Sequence, residues 1–329
     1  ARSAKMRDFY HLRVDVPTTT LPTLDWYDKG RIGYLLSSVI FAKFLFLFFL
    51  YRRLRGKRGI YYSIPDTFSL AAALCAGVPR YLEIHEAKLR AGITALVRGT
   101  RGLIATNALI KKSLQEKFNI PDGNIIVEPN GVDMGAYENL PSKEEARERL
   151  GLPPRATIAL YVGRFYEWKG LGILADTADK LHGIEMYAVG GTSEEFRAVT
   201  GLATIPPALH IAGECAMCDV PMWLAAADVL LVLGTGKNET SFKYTTPMKV
   251  YEYMAAKRPV IASGTLALKS VIGDGEALFY KSDDSADLAR AIQQVTQNDT
   301  TDIVSRAFHS SEGHSWKKRA KRVRAFIGI

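Results

Sequence analysis

The sequence predicts an α/β fold with two domains, each built on a parallel sheet covered by helices. Short apolar segments of strand length alternate with helical segments in two series, which is typical of strands buried on both faces. The 329 residues are too many for one typical domain and fit two of ordinary size. The turn signal Asn130-Gly131 separates the two series. We therefore place a domain boundary near Asp133, with residues 1–133 as the first domain.

The chain begins with a polar, irregular stretch, residues 1–31, and continues into an apolar run, residues 32–51. The run is long enough to span a bilayer, but Lys43 near its middle opposes a span by about 2.5–3.5 kcal/mol. Three interpretations stay open: a helix buried in or docked on the first domain, a helix at the membrane interface, or a true span. In the second, lipid phosphates would meet the basic residues that follow, Arg52, Arg53, Arg55, Lys57 and Arg58.

The first alternating series predicts strands at 60–64, 80–84 and 102–106, and helices at 69–76, 87–98 and 108–118. His85 and Glu86 directly follow the second of these strands. Binding sites of open α/β sheets lie at the carboxyl ends of strands, so His85 is a candidate site residue. A histidine with a purely structural role at a strand end is the alternative.

The second series opens with a capping box, Ser142 and Glu145, and a strand at 158–162. Arg164 and Lys169 lie on the loop after that strand, where both can reach one diphosphate; otherwise they are surface charges. The predicted strand 185–189 ends in Gly190-Gly191, which allows a backbone to approach a ligand closely. Further strands are predicted at 209–212, 229–233, 259–262 and 277–280, and helices at 221–227 and 285–297.

Residues 242–263 set a polar loop, a proline-initiated helix and a buried strand in succession, which is a phosphate-binding layout. Thr246 is predicted as the N-cap, with Pro247 at the first helical position. The amides of Met248 and Lys249 would then lack intrahelical partners and form an anion site with the helix dipole. Lys249 can add its own charge to that site.

Glu252 is predicted on the same helix face as Lys249, roughly 8 Å beyond the cap. An ionised carboxylate accepts both hydrogens of a vicinal diol, which is what a ribose presents. The alternative for this segment is an ordinary amphipathic helix that leads into a strand.

Residues 245–263, TTPMKVYEYMAAKRPVIAS, resemble the donor-binding segment of glycosyltransferase family 4, within the GT-B superfamily. The resemblance covers roughly residues 59–329 and is specific in its C-terminal half. It implies a GT-B fold, two Rossmann-like domains facing a cleft, with a nucleotide-sugar donor held by residues 134–312 and a final helix, 313–329, returning to the first domain. Further matching pieces follow in order: LEIHE (82–86), VEPNGVD (127–133), LYVGRFYEWKG (160–170), MYAVGG (186–191) and AADVLLVL (226–233).

The resemblance also implies roles for individual residues. Arg164 and Lys169 would hold the diphosphate and neutralise the leaving nucleotide, and His85 would face that diphosphate as a further catalytic residue. Backbone near Cys215 and the side chain of Val220 would border the base. The implied reaction is glycosyl transfer with retention, without metal or other cofactor, because positive groups stabilise the departing diphosphate. Residues implied in donor binding are Arg164, Lys169, Gly190, Cys215, Val220, Tyr244, Thr246, Pro247, Met248, Lys249 and Glu252.

Two departures from the family pattern bear on function. The family commonly has two glutamates separated by seven residues; the second matches Glu252, but the first position holds Tyr244, so sugar recognition is altered. Its usual first strand, glycine-rich loop and helix have no match here, so either the chain is incomplete or its first domain is cut down. Both departures support a rival hypothesis, a catalytically silent relative that serves as a binding or assembly subunit at the membrane.

The charge of the chain is asymmetric. Residues 1–134 contain 20 Lys and Arg against 11 Asp and Glu, whereas the remaining 23 and 23 balance. The first part is therefore expected to face an anionic membrane or a phosphorylated acceptor, such as a glycan or lipid-linked molecule of the cell envelope, unless it is a solvated basic face. No nucleic-acid motif accompanies the charge. Three cysteines form no disulfide framework, and Cys215 and Cys218 lack a second pair for zinc, which favours a reducing cytoplasm, with peripheral contact at the inner face of the membrane.

Overall fold

The structure is a computed structural model that describes residues 16–86 and 91–329. Its contacts divide the described chain into two compact units, residues 16–83 with 91–103, and residues 84–86 with 104–329. This division differs from the predicted boundary near Asp133, and the domain assignment stays a prediction. Residues 104–133 group with the second unit because Asn107, Asn130 and Glu128 hydrogen-bond to its later segments.

The first unit combines short strands with helices. The first strand pairs in parallel with the second, with Tyr61 opposite Arg80 and Ser63 opposite Leu82, and the amide of Arg101 donates to the carbonyl of Arg80 (2.8 Å). The first four residues of the helix predicted at 87–98 lie outside the described residues. The elements in chain order are α1 Gly30–Leu54, β1 Tyr61–Ser63, α2 Thr67–Cys75, β2 Arg80–Ile84, α3 Ala91–Arg98 and β3 Gly102–Ala105, the last residues of β2 and β3 belonging to the second unit.

Helix α1 is docked on α2 but leaves one long stripe exposed. The guanidinium of Arg53 donates to the carbonyl of Ala76 at the end of α2 (3.3 Å). Within the described part of the chain, α1 is the one helix long and apolar enough to cross a membrane, by length and composition alone. The stripe recurs every three or four residues, as neighbours on one helix face do. It consists of Ile32, Leu36, Val39, Lys43, Leu47, Leu50 and Leu54, all exposed.

The second unit is built on a six-stranded parallel sheet of order β10-β9-β8-β5-β6-β7. Its central strands are almost wholly buried, as expected for a parallel sheet with both faces covered. Val162 at the end of β5 lies opposite Val189 at the end of β6, so these two strands end level with each other. The strands are β4 Ile125–Val127, β5 Thr157–Val162, β6 Ile184–Val189, β7 Leu209–Ile211, β8 Val229–Val232, β9 Val260–Ser263 and β10 Leu278–Tyr280.

The helix Lys143–Leu150 shows its predicted capping. Ser142 and Glu145 form the predicted capping box, with reciprocal bonds of 3.2 and 2.9 Å. In the same unit, the amide of Thr106 donates to the carbonyl of Ile84 (3.2 Å), and the amide of Glu128 donates to the carbonyl of Ala105 (2.9 Å). The helices are α4 Ala108–Phe118, α5 Lys143–Leu150, α6 Gly172–Ala178, α7 Ser193–Thr200, α8 Val220–Ala226, α9 Lys249–Ala255, α10 Leu266–Lys269, α11 Ser285–Gln297, α12 Thr301–Gly313 and α13 Trp316–Ile327.

The final helix α13 is held by arginines. Arg322 makes a two-pronged ion pair with Glu128 (2.7 and 2.9 Å), and the buried Arg319 donates to the carbonyl of Pro129 (2.7 Å). Two of the cations of α13 therefore serve to hold the helix in place.

Candidate functional site

The carboxyl ends of β5, β6 and β7 meet through three glycine backbones. The amide of Gly163 donates to Val189, and the amide of Gly190 donates to Gly213, both at 2.7 Å. Gly190 has a φ of +123°, and a Cβ there would lie 2.6 Å from the carbonyl carbon and oxygen of Gly163. Gly190 thus allows a neighbouring loop to approach closely. Its predicted contact with a donor stays a prediction.

A cavity of about 330 Å³ opens at this edge of the sheet, and we call it the edge cavity. It brings together six of the predicted site residues: Lys169, Val220, Pro247, Met248, Lys249 and Glu252. The sequence analysis missed other lining residues, among them Tyr161, Gly163, Trp168, Met217, Ser241 and Tyr253.

Lys249 lies deeper than a surface cation at a helix start would. Its ammonium donates to the carbonyl of Val162 (2.6 Å) and lies 3.9 Å from the centre of the Tyr161 ring. Burial lowers the pKa of Lys249 well below its usual range, the charge of Lys169 lowers it further, and Glu252 partly opposes both. Burial also raises the pKa of the Glu252 carboxyl, against the opposing effect of Lys249.

Lys169 belongs to the same cavity, whereas the side chain of Arg164 is exposed and does not line it. The ammonium of Lys169 donates to the backbone carbonyl of Arg164 (2.8 Å) and lies over the rings of Tyr166 and Trp168. Burial, and then the charge of Arg164, lower the pKa of Lys169 to about 8. Two lysines crowded into one cavity favour an anion there, because it would offset both charges.

The predicted cap at Thr246 is wrong. The helix begins at Lys249 with Met248 as N-cap and no side-chain cap, after a tight turn in which the amide of Val250 donates to Pro247 (3.2 Å). Thr246 is buried, and its hydroxyl donates to the carbonyl of Thr106 (3.3 Å) instead of capping locally. The Thr246 hydroxyl therefore contacts the end of another strand instead of forming a local cap, and it is the two lysines that favour an anion here.

A second cavity of about 390 Å³ adjoins the edge cavity and shares Trp168 and Thr245 with it. Three further predicted residues line this His85 cavity, namely His85, Tyr244 and Thr246. Tyr244 ends a π-helical turn, Thr240–Tyr244, closed by the amide of Thr245 on the carbonyl of Thr240 (2.9 Å). Such turns are frequent at functional sites.

Asn107 is a buried residue that the sequence analysis missed. Its carbonyl oxygen accepts from the amide of Ile110 (2.8 Å) and so caps α4, while its amide donates to the carbonyl of Tyr244 (3.1 Å) and to the hydroxyl of Thr246 (3.3 Å). Asn130 holds the carbonyl of Thr246 (2.9 Å) in addition. The only available signal was an asparagine directly before a predicted helix.

Cys215 and Val220 were predicted to border the base. Val220 begins α8 and lines the edge cavity, whereas Cys215 packs beside it against the core and does not line the cavity. Burial raises the pKa of the Cys215 thiol, and Asp219 raises it further. Within residues 16–86 and 91–329, no group of three or more His, Cys, Asp and Glu is placed to hold a metal ion.

Part of the chain matches a known protein family. Residues 156–298, which include most of the edge cavity, match the family model described as glycosyl transferases group 1. This part carries Arg164, Lys169 and Lys249, together with Glu252.

Two relatives illustrate the range of the similarity. The chain is 24% identical over 255 residues to D-inositol 3-phosphate glycosyltransferase of Nocardioides sp., covering 70% of this chain and 54% of that one. It is 25% identical over 225 residues to the putative teichuronic acid biosynthesis glycosyltransferase TuaC of Bacillus subtilis, covering 66% and 55%. The chain thus spans about half the length of the relatives it matches.

Solved glycosyltransferase structures share the fold. A glycosyltransferase of Rickettsia africae superposes with a TM-score of 0.72 at 16% identity, covering 99% of this chain and 87% of that one. Anabaena Alr3699/HepE, in complex with UDP and glucose, gives 0.71 at 16% identity, covering 99% and 88%. The expected GT-B class of α/β fold is thereby confirmed.

Proposed function

We propose that the chain transfers a glycosyl group from a nucleotide-sugar donor to an acceptor, in the manner of glycosyltransferase family 4. One observation carries the proposal: Lys169, Lys249 and Glu252 converge on one cavity at the carboxyl edge of a parallel sheet, inside the segment that matches the group 1 glycosyltransferases. The complexes of Alr3699/HepE with UDP and with UDP-glucose make a uridine diphosphate sugar the first donor to test.

Different residues of the edge cavity would have different roles in donor binding. Lys169 and Lys249 place two positive charges where the diphosphate would lie, and they stabilise the negative charge that develops as the glycosyl bond breaks. Glu252, one helical turn after Lys249, would accept the hydrogens of the ribose diol. These cations can support transfer with retention and without a metal, because the diphosphate leaves without needing a proton.

His85 would line the reacting face from the neighbouring cavity, where Tyr244 stands in place of an acidic residue. A glycan or lipid-linked acceptor of the cell envelope fits the basic residues of the first part of the chain and the envelope-related name of TuaC. The proposed location is the cytoplasm, with contact at the inner face of the membrane. Tyr244 also favours the rival function, a silent binding subunit that retains the donor site without turnover.

Titration calorimetry with UDP-, GDP- and ADP-sugars tests the proposal, followed by an assay for released nucleoside diphosphate. We expect one nucleotide class to bind, and Lys169→Ala to weaken that binding by about 1.5–3 kcal/mol, the scale of a charged hydrogen bond. Lys281→Ala, which removes an exposed lysine outside the cavity, is the matched control. Binding without turnover would favour the silent subunit, and absence of binding by all three classes would overturn both functions.

A further inference from the structure

A larger cavity, the basal cavity, opens at the opposite edge of the six-stranded sheet. Its volume is about 690 Å³, within the range of small-molecule sites, and it adjoins the amino ends of β5, β8 and β9. Its lining includes the cations Lys143, Lys257 and Arg258, one carboxylate, Asp228, and an apolar wall with Phe308. None of these residues lines the edge cavity.

Asp228 forms an ion pair with only one of these three cations, Lys143. Its two oxygens accept from Lys143 (2.9 Å), from Arg147 (2.6 Å) and from the amide of Ile158 (2.7 Å). Within residues 16–86 and 91–329, neither Lys257 nor Arg258 forms an ion pair. Lys257 and Arg258 therefore have no directly bonded counter-charge in the described chain, and the carboxylates of Asp228 and Glu144 act on Arg258 only from farther away.

Arg258 is held by backbone alone. Its guanidinium donates to the carbonyls of Ala225 (2.7 Å) and Lys257 (3.3 Å), and its buried Nε has no acceptor in the described part of the chain. Burial lowers the pKa of Arg258, and the charges of Asp228 and Glu144 oppose this only in part, so an anion in the adjoining cavity would reduce the remaining cost of burial.

Lys257 occupies a backbone position that usually selects glycine. Its φ of +55° lies in the left-handed region, at the end of the turn that follows α9. Its ammonium lies over the Phe308 ring, 4.3 Å from the ring centre, on the cavity wall. A side chain kept at a strained position, with its charge on a cavity, points to a role beyond folding.

We propose that the basal cavity binds a phosphomonoester of a small polar molecule, with its phosphate between Lys257 and Arg258. Two unpaired cations match a dianion, and phosphate monoesters carry close to two negative charges at neutral pH. The hydroxyl-bearing residues Thr300 and Ser305 and the apolar Phe308 line the space beside that position and would contact the body of the ligand. The site is separate from the proposed donor site and does not depend on it.

Nuclear magnetic resonance of the amide-labelled chain locates the binding directly. Glucose 6-phosphate, inorganic phosphate and glucose serve as probes. We expect glucose 6-phosphate to shift the amides of Lys257, Arg258, Thr300 and Thr301, and glucose to leave them unchanged. Equal affinity for inorganic phosphate would restrict the proposal to a free anion, and shifts confined to Gly163, Gly190 and Lys249 would overturn it.

Lys257→Gly is the sharpest variant, because it removes the cation and relieves the left-handed backbone. We expect the affinity for glucose 6-phosphate to fall about tenfold or more without loss of folding stability. Arg258→Gln should weaken binding to a similar degree, and Lys281→Ala should not change it. Unchanged affinity in Lys257→Gly and Arg258→Gln would contradict the proposal, whatever happens at the edge cavity in Lys169→Ala.

Discussion

At the scale of single residues, the edge cavity contains two lysines whose charges are unfavourable in the free protein. Lys249 is half-buried against a backbone carbonyl and an aromatic ring, and Lys169 lies close enough to lower its pKa. Like charges in a desolvated place destabilise one another. Such lysines are typical of a site whose missing partner is an anion.

The first prediction concerns the protonation of Lys169. Its pKa of about 8 means that it loses its charge between pH 7 and 9.5, so the affinity for UDP should fall over this range by up to about tenfold per pH unit above that pKa. Lys169→Arg, which keeps its charge, should flatten this part of the profile. Titration calorimetry at several pH values measures both, and a flat wild-type profile would contradict the prediction.

The same shift affects the stability of the free protein. The unfolded chain holds the proton on Lys169 up to its ordinary pKa of 10.5, whereas the folded chain releases it near pH 8. Since the unfolded state binds more protons between these values, the contribution of Lys169 to the free energy of unfolding rises with pH there.

The second prediction concerns Glu252. Glu252→Gln keeps the shape but replaces one acceptor oxygen with a donor group, so UDP should bind more weakly. A 2′,3′-dideoxy analogue of UDP, which lacks the diol, should bind both proteins alike. The ratio of the two dissociation constants is the measurement, and an equal loss for both ligands would show that Glu252 does not contact the ribose.

Single residues also show which parts of the candidate site could be predicted from the sequence. Lys249 and Glu252 were predicted because their spacing on one helix is local information, and Lys169 because it follows a predicted strand; the structure brings all three to one cavity. Asn107 was missed because its partners Tyr244 and Thr246 lie more than a hundred residues away along the chain. Arg164 and Cys215 were predicted beside them, yet neither lines the cavity.

At the scale of elements, the strand ends depend on backbone packing that only glycine permits. Gly163, Gly190 and Gly213 all have positive φ and bring three loops into direct contact. Most of the predicted strands and helices lie within one or two residues of those observed, since apolar runs and caps are local signals, whereas the start of the helix predicted at 87–98 lies outside the described residues. The π-helical turn Thr240–Tyr244 was predicted only as a polar loop, because its contacts with Asn107 come from the tertiary fold.

The third prediction separates clash from backbone strain. Gly190→Ala should lower the free energy of unfolding by at least about 2 kcal/mol, because the new methyl group meets the backbone of Gly163. Gly201→Ala is the control: its φ is also positive, at +74°, but nothing lies within 4 Å of the added carbon, so about 1 kcal/mol is expected. Urea unfolding followed by tryptophan fluorescence measures both, and equal losses would refute the clash.

The fourth prediction concerns Asn107, which joins α4 to the π-helical turn. Asn107→Ala removes a cap and leaves the carbonyl of Tyr244 without its donor, so we expect a loss of about 2–3 kcal/mol in the free energy of unfolding. Asn107→Ser restores a cap but is too short to reach Tyr244, and should recover only part of the loss. The exposed Asn124→Ala is the control. If Asn107→Ser restores full stability, the bond to Tyr244 contributes nothing.

At the scale of the whole molecule, the first part of the chain carries the net positive charge and a long exposed apolar stripe. The excess of Lys and Arg lies entirely in residues 1–134, 20 against 11 acidic residues. Helix α1 adds an exposed aliphatic stripe to that charge. The sequence predicted the excess of positive charge and the apolar run, but it left open whether the run is docked on the first domain or lies at a membrane, because an apolar run has the same pattern in both places.

The last prediction is peripheral, salt-sensitive attachment to anionic bilayers through α1 and the basic residues after it. Each cation near such a surface contributes about 1 kcal/mol, so five contribute about 5 kcal/mol before screening, a dissociation constant of about 0.2 mM, and burial of the apolar stripe of α1 would add to this. Co-sedimentation with anionic and neutral vesicles at low and high salt is the measurement. Replacing the exposed Arg55, Lys57 and Arg58 with glutamine should weaken binding to anionic vesicles selectively. Binding that does not depend on lipid charge or salt would indicate a deeply inserted or spanning helix. Absence of binding to every vesicle would indicate that the stripe contacts a protein partner instead.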